Sequence, residues 1–163
     1  MDLLVKTIGD EVPRLHKNNV QLKCIGDRDA LPETARKNME KGEETTKNNT
    51  GLVLSIALSY SGKWDIIQAV KKIAAEVKSE EISTNDITET QFSRYLSTYP
   101  APDVDLLIRT GGDHRISNYL LWQSAYAELL FLDVLWPDFR KSHLLEAIKT
   151  FQTRDRRFGK THD

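Results

Sequence analysis

The sequence predicts an α/β fold in which a mostly parallel sheet is flanked by helices. Segments with strand-like patterns alternate with segments of helical periodicity, which is typical of parallel sheets covered by crossover helices. One run over residues 52–60 is almost continuously apolar, as expected of a strand covered on both faces. The 163 residues favour a single domain spanning residues 1–163.

The first half of the chain predicts three helices and two strands. Apolar residues three or four apart indicate a helix over residues 3–15, a polar helix opened by a proline over 32–47 and an amphipathic helix over 66–77. Residues 20–25 alternate as a strand does, and the apolar run over 52–60 is the second strand. Asparagine- and glycine-containing turns separate these elements.

The second half continues the alternation. We expect a short helix over residues 88–98, then a strand over 105–110 that ends at a glycine pair. Apolar residues at helical spacing predict a buried helix over 118–130, with a short further strand over 130–132. A Trp-Pro-Asp-Phe break precedes a last helix over 143–154.

Composition and charge exclude several classes of protein. Hydrophobic residues make up 39% and charged residues 29% of the chain, and the formal net charge is −1, so we expect neither disorder nor nucleic-acid binding. No apolar run approaches the length of a membrane span, and the first residues do not resemble a signal peptide. Cys24 is the only cysteine. These features predict a soluble cytoplasmic protein in a reducing compartment.

The segment that follows the strand over 105–110 carries the strongest functional signal. Arg109 and Arg115 flank a glycine pair, and Ser117 or Asn118 could cap the predicted helix over 118–130. Ligands bind at the carboxyl ends of parallel strands, and helix N-termini and guanidinium groups both favour anions. The segment therefore predicts a phosphate or diphosphate site. The alternative is that both arginines pair with nearby carboxylates such as those of Asp105 and Asp113.

Other candidate residues have weaker patterns. Glu128 could bind a metal, but late in a helix it is also typical of a surface carboxylate. His114 could shuttle a proton or be solvated, and Cys24 has no expected partner for thiol catalysis. The arginines at 154, 156 and 157 could form a second phosphate contact or a solvated helix end. We expect Trp122 and Tyr126 in the core. Metal clusters, nucleophile elbows, Walker loops and Rossmann fingerprints are absent from the sequence.

Several ordered motifs resemble the cis-prenyltransferase family, of the isoprenyl transferase or undecaprenyl diphosphate synthase type. They are Asp-Leu-Leu-Ile-Arg-Thr-Gly-Gly at 105–112, Arg-Ile-Ser-Asn-Tyr-Leu-Leu-Trp-Gln at 115–123, Ala-Tyr-Ala-Glu-Leu at 125–129 and Leu-Trp-Pro-Asp-Phe at 135–139. Weaker similarity extends back through 25–27, 49–52 and 57–60, so that the resemblance covers nearly the whole chain.

The resemblance implies an activity and a set of site residues. Members condense isopentenyl diphosphate onto an allylic diphosphate such as farnesyl diphosphate, with Mg²⁺, and make long-chain polyprenyl diphosphate, a precursor of a cell-wall lipid carrier. They are homodimers with a hydrophobic tunnel. Their product associates with the membrane, which implies a cytoplasmic enzyme at the membrane periphery. By motif, the isopentenyl diphosphate residues are Arg109, Arg115, Ile116 and Ser117, the auxiliary residues are Asp113, His114, Asn118, Arg157 and Gly159, and the magnesium ligand is Glu128.

The sequence departs from the family pattern at two places. Asp113 stands where many members have Glu, and no Asp-Gly-Asn-Gly-Arg loop, which supplies the family's catalytic Asp, occurs in these 163 residues. We therefore expect the C-terminal portion of a cis-prenyltransferase domain, truncated at its N-terminus and inactive alone. A non-catalytic partner subunit of a heteromeric prenyltransferase is the alternative, followed by an unrelated diphosphate-binding module.

Overall fold

The computed structural model describes residues 2–154, and for residues 2–8 only the backbone. It divides the chain into two compact units, Met1–Pro100 and Ala101–Asp163. In chain order the helices and strands are α1 (Asp2–Lys17), β1 (Gln21–Ile25), α2 (Glu33–Thr46), β2 (Val53–Ala57), α3 (Gly62–Lys78), α4 (Glu89–Ser93), β3 (Leu106–Thr110), β4 (Glu128–Leu132) and α5 (Lys141–Gln152). In the described part of the chain, every helix is too short or too polar to cross a bilayer.

The first unit is built around the parallel pair β1 and β2, in which Gln21 lies opposite Val53 and Ile25 opposite Ala57. The chain crosses from one strand to the next through α2, as parallel pairing requires. Apolar residues of α1, β1 and α2, together with one residue before α2 and one after β2, bury one another and form the core of this unit. They are Val12, Leu22, Cys24, Leu31, Ala35, Met39 and Leu58.

Side chains of α2 hydrogen-bond the edge of β1 that faces away from β2. The Leu22 N–H donates to Thr46 Oγ1 over 2.9 Å, and the Cys24 N–H donates to Glu43 Oε1 over 2.7 Å. Arg28 holds both carboxylate oxygens of Glu43 at 2.8 Å. Because an unpaired strand edge is a template for further strands, these bonds both satisfy buried donors and close the edge.

A buried carboxylate ties α3 to the segment that follows α4. Asp65 lies in the first turn of α3, where the helix dipole favours a negative charge. It accepts hydrogen bonds from Tyr60 Oη over 3.0 Å and from the Ser97 N–H over 2.9 Å. Ser61 caps the same helix by accepting from the Trp64 N–H.

The second unit contains the parallel pair β3 and β4, with Leu106 opposite Glu128 and Thr110 opposite Leu132. Residues between the two strands form a series of turns, and a single turn of 3-10 helix over Trp136–Asp138 follows β4 before α5. The pairing places the loop after β3 beside the residues that follow β4.

The predicted α/β class with parallel strands is confirmed, and nine elements lie close to their predicted positions. The expected helix over 118–130 is wrong: residues 117–126 form turns, and Glu128 begins a strand. Ser117, Asn118 and Leu120 have φ values of 46°, 63° and 45°, which a right-handed helix does not allow. Hydrogen bonds within turns hold this segment instead; the Ser124 N–H, for example, donates to the Leu120 carbonyl over 2.9 Å.

A second expectation, that the apolar run over 52–60 is covered on both faces, is also wrong within the described residues. Leu52 is 68% exposed, and Val53 and Leu54 are exposed as well. Within this run, Ile56 and Leu58 pack in the core of the first unit, whereas residues 52–54 lie outside it. A single domain over residues 1–163 stays a prediction.

Candidate functional site

The loop after β3 is shaped by a glycine pair. Gly111 and Gly112 have φ values of 90° and 75°, a region that residues with a Cβ rarely adopt. Their N–H groups donate to the carbonyls of Val134 and Leu132, over 2.9 and 3.0 Å. These bonds fix the loop against the end of β4, so the residues that follow Gly112 lie at the carboxyl end of the parallel pair.

Arg109 organises this loop from the end of β3. Its Nη1 donates to the Arg115 carbonyl over 2.5 Å and to Ser117 Oγ over 2.7 Å, and its Nη2 donates to Asp113 Oδ2 over 2.8 Å. With 25% of its side chain exposed, the guanidinium is largely enclosed by the loop that it holds. We call residues 109–117 the arginine loop.

Arg115 meets Arg109 at the same carboxylate oxygen. Its Nη2 donates to Asp113 Oδ2 over 2.7 Å, and 67% of its side chain is exposed. The carboxylate pairing considered as the alternative is thus present at Asp113 for both arginines. It does not exclude anion binding, because a guanidinium has five N–H donors and Arg115 uses one of them in a side-chain bond within the described structure.

Ser117 and Asn118 do not cap a helix, which corrects the expected contribution of a helix dipole to the site. In the described chain a series of turns, not a helix, follows the arginine loop, because both residues have positive φ. The Ser117 hydroxyl instead accepts from Arg109, and the Ile116 carbonyl accepts from the Tyr119 N–H over 3.0 Å. Burial raises the pKa of the Tyr119 phenol, so this neighbour of the loop is neutral at physiological pH.

His114 lies between Asp113 and Arg115 and packs on β4. Its ring centroid is 5.1 Å from that of Phe131, at an interplanar angle of 45°. Phe131 lies opposite Arg109 in the strand register, so the loop folds over the face of the pair that these two residues share. Phe131 is the site neighbour that the sequence did not predict. Its position opposite Arg109 depends on the pairing of β4 with β3, and the sequence predicted that β4 begins at residue 130 rather than at Glu128.

Glu128 is the first residue of β4 rather than a residue late in a helix. Its Oε2 accepts from Arg154 Nη1 over 2.7 Å, and the same nitrogen donates to the Leu129 carbonyl over 3.1 Å. Arg154 is therefore a carboxylate partner in this structure rather than a solvated helix end. A phosphate contact by Arg154 stays a prediction. Arg156, Arg157 and Gly159, also expected near the site, lie outside the described residues.

The strand register separates Glu128 from the arginine loop. Glu128 lies opposite Leu106, three residues before the level of Arg109, which is about 10 Å along the strand. An odd separation also places the two side chains on opposite faces of the pair. Within the described residues no three His, Cys, Asp or Glu side chains are grouped as metal ligands are. The Glu128 carboxylate still fits Mg²⁺, which often takes one or two carboxylates together with substrate phosphates.

Three further expectations concern residues outside the loop. Tyr126 is 65% exposed, so its predicted place in the core is wrong, and Trp122 is half-buried. Cys24 lies buried in β1 as expected, and its burial raises the pKa of the thiol. A raised pKa keeps the thiol protonated, which agrees with the absence of a catalytic role in its sequence pattern.

Comparison with known proteins identifies the family. Residues 1–159 match the prenyltransferase family model described as "Putative undecaprenyl diphosphate synthase". The chain is 50% identical over 163 residues to an isoprenyl transferase of Chlorobaculum tepidum, covering all of this chain and 62% of that protein. It is 53% identical over 161 residues to a ditrans,polycis-undecaprenyl-diphosphate synthase, (2E,6E)-farnesyl-diphosphate specific, of Haemophilus influenzae, covering 99% of this chain and 67% of that protein. The chain thus spans less than two thirds of the length of the first of these relatives.

Solved structures agree with the sequence comparison. Lavandulyl diphosphate synthase from Lavandula x intermedia, in complex with dimethylallyl diphosphate, superposes with a TM-score of 0.92 at 34% identity, over 98% of this chain and 71% of that one. A probable undecaprenyl diphosphate synthase from Campylobacter jejuni superposes with a TM-score of 0.85 at 35% identity, over 98% and 72%. With its parallel strands and its arginine loop, the chain belongs to the undecaprenyl diphosphate synthase family of cis-prenyltransferases.

Proposed function

We propose that the arginine loop binds isopentenyl diphosphate within a cis-prenyltransferase. The enzyme would condense this substrate repeatedly onto an allylic diphosphate of the farnesyl type and make a long-chain polyprenyl diphosphate, a precursor of a cell-wall lipid carrier. One observation carries the proposal: the guanidinium groups of Arg109 and Arg115 converge on one point, beside the Ser117 hydroxyl, at the carboxyl end of β3.

The chemistry of the reaction matches this arrangement. The diphosphate of isopentenyl diphosphate has to be held while its carbon end meets the allylic substrate, and such positioning lowers the barrier by making the encounter intramolecular. Arginine forks hold phosphate oxygens by charge-assisted hydrogen bonds. In the arginine loop, Arg109, Arg115, Ile116 and Ser117 would form the binding site, with Asp113, His114 and Asn118 in support. The names of relatives that use farnesyl diphosphate or hold dimethylallyl diphosphate support an allylic co-substrate.

Magnesium is the metal that we propose, with Glu128 as its ligand from this chain. When bound, Mg²⁺ would neutralise charge on the diphosphate that leaves the allylic substrate. In the structure Arg154 holds the Glu128 carboxylate, so this ion pair would have to open for the metal to bind. The Glu128 carboxylate would then be paired with a cation in both states, with Arg154 before Mg²⁺ binds and with Mg²⁺ afterwards.

The family also leads us to propose a homodimer, in which Arg157 and Gly159 reach the neighbouring subunit's site, and a product that associates with the membrane. We further propose that the 163-residue polypeptide alone does not elongate prenyl chains. Its sequence contains no Asp-Gly-Asn-Gly-Arg segment, and in the family pattern that segment binds the allylic diphosphate.

Calorimetric titration with isopentenyl diphosphate tests the binding site. Arg109→Ala and Arg115→Ala should each weaken binding by about 1.5–3 kcal/mol, the typical value of a hydrogen bond to a charged group. Arg14→Ala is the matched control, because it removes an exposed guanidinium that pairs with Glu11 on α1. Unchanged affinity in both loop variants would overturn the assignment of the site.

A prenyl-transfer assay tests the activity. The polypeptide is incubated with radiolabelled isopentenyl diphosphate, farnesyl diphosphate and Mg²⁺, and we expect no elongated product. Elongation by the polypeptide alone would refute the proposed dependence on an Asp-Gly-Asn-Gly-Arg segment. Elongation by a mixture with a full-length homologue that exceeds the activity of the homologue alone would identify the chain as a partner subunit.

A further inference from the structure

Asp113 lies at the centre of the arginine loop. Its Oδ2 atom accepts from Arg109 Nη2 over 2.8 Å and from Arg115 Nη2 over 2.7 Å. Two guanidinium groups repel each other, and a carboxylate oxygen between them is what allows them to converge. The loop therefore holds one negative charge between its two positive charges.

The two arginines depend on Asp113 to different degrees. Arg109 is also held by the Arg115 carbonyl and by Ser117 Oγ, and most of its side chain is enclosed. Arg115 is two-thirds exposed, and in the described chain its guanidinium has the Asp113 carboxylate as its side-chain partner. A long exposed side chain loses much rotamer freedom when a ligand orders it. Asp113 therefore fixes mainly Arg115.

Resting on the proposed function, we propose that Asp113 is a positioning residue for isopentenyl diphosphate. It holds Arg115 beside Arg109 before the substrate arrives, so that binding does not have to order this side chain. The carboxylate works through the arginine and does not contact the diphosphate, which it would repel.

Removal of the Asp113 carboxylate also has an electrostatic effect that would strengthen the binding of isopentenyl diphosphate, and the test has to separate this effect from the loss of positioning. Removing any negative charge near an anion site strengthens anion binding through space. Asp133 provides the matched control, because it is exposed and its Oδ1 lies 3.5 Å from where a Cβ on Gly112 would be. Asp113→Asn and Asp133→Asn each remove one carboxylate beside the arginine loop, but only the first also removes the bond that holds Arg115.

The experiment measures the dissociation constant of isopentenyl diphosphate by calorimetry in the full chain and its variants. Far-ultraviolet circular dichroism first confirms that each variant is folded. We expect Asp113→Asn to weaken binding on the order of tenfold, the loss expected when one long side chain has to be ordered on binding. Asp113→Glu keeps the carboxylate and should bind within about threefold of the unchanged chain, and Asp133→Asn should bind equally well or more tightly.

Three results would separate the hypotheses. If Asp113→Asn binds as tightly as the unchanged chain, or more tightly in parallel with Asp133→Asn, the positioning role is overturned and Asp113 acts by charge alone. If Asp113→Glu binds as weakly as Asp113→Asn, the carboxylate is not what matters and the proposal fails. If the unchanged chain does not bind isopentenyl diphosphate saturably, the proposed function itself fails.

Discussion

Thr46 connects α2 to the edge of β1 through a single buried hydroxyl. Its side chain is fully buried, and Oγ1 accepts from the Leu22 N–H and donates to the Gly42 carbonyl, both over 2.9 Å. Thr46→Val keeps the shape of the side chain and removes both bonds. The Gly42 carbonyl keeps the backbone bond of the helix, whereas the Leu22 N–H has no replacement at this edge of β1.

The expected loss of stability follows from that one donor. A buried donor without a partner costs about 1–3 kcal/mol, and the methyl group that replaces the hydroxyl returns about 0.8 kcal/mol through apolar burial. The free energy of unfolding should therefore fall by about 0.2–2.2 kcal/mol. For a chain of this size the midpoint of thermal unfolding should fall by up to about 9 °C.

Denaturant unfolding followed by circular dichroism measures this change, with Thr45→Val as the matched control. Thr45 precedes Thr46 on α2, is exposed and donates to the Lys41 carbonyl, so its substitution should change stability by less than about 0.5 kcal/mol. Amide hydrogen exchange of Leu22 gives a local readout, and its protection should fall in Thr46→Val. Equal stability of the two variants would refute the view that the hydroxyl of Thr46 supports the edge of β1.

Two further predictions concern a pair of glycines, Gly26 and Gly9, and the buried Cys24. Gly26→Ala should lower the free energy of unfolding by about 2–4 kcal/mol, since Gly26 has a φ of 115° and its Cβ would lie 2.0 Å from the Leu58 carbonyl oxygen. Gly9→Ala should raise the free energy of unfolding by about 0.5–1 kcal/mol, because a Cβ at this position in α1 meets nothing within 4 Å. Equal effects of the two substitutions in chemical denaturation would contradict both predictions. Burial raises the pKa of Cys24 in the folded state, so the stability that its protonated thiol contributes is complete below the unfolded pKa and is lost as the pH rises through the folded pKa. Iodoacetamide should accordingly alkylate the folded chain at pH 8 far more slowly than the chain in urea, and equal rates would count against the burial.

The strands and the position of the arginine loop were predictable because they depend on local patterns. Each of these patterns spans only a few residues: the alternation in β1, the apolar residues of β3, and the glycine pair at Gly111 and Gly112. A parallel strand that ends in glycines places the next residues at its carboxyl end whatever the rest of the chain does. The predicted association of Arg109, Arg115 and Ser117 follows from that placement.

The segment over 117–126 was not predictable in the same way. Its apolar residues recur at helical spacing, and periodicity does not distinguish a helix from consecutive turns. The backbone is decided by bonds that are distant in sequence, such as the Val104 N–H to the Gln123 carbonyl over 2.9 Å, and by the pairing of β4 with β3. Such non-local contacts override local helix propensity. The ion pair between Arg154 and Glu128 likewise joins residues 26 apart.

The charges in the arginine loop set a limit on what it does alone. Arg109 and Arg115 contribute two positive charges and Asp113 one negative charge, which leaves a sum of one positive charge. A diphosphate ester carries about −2.5 to −3 near neutral pH, since a terminal phosphate carries about −1.5 to −2 and the inner phosphate about one more. The described loop would thus neutralise less than half of the charge of the proposed substrate. Further positive charge would have to come from outside the loop, which is the physical reason to propose both Mg²⁺ and additional arginines beside it.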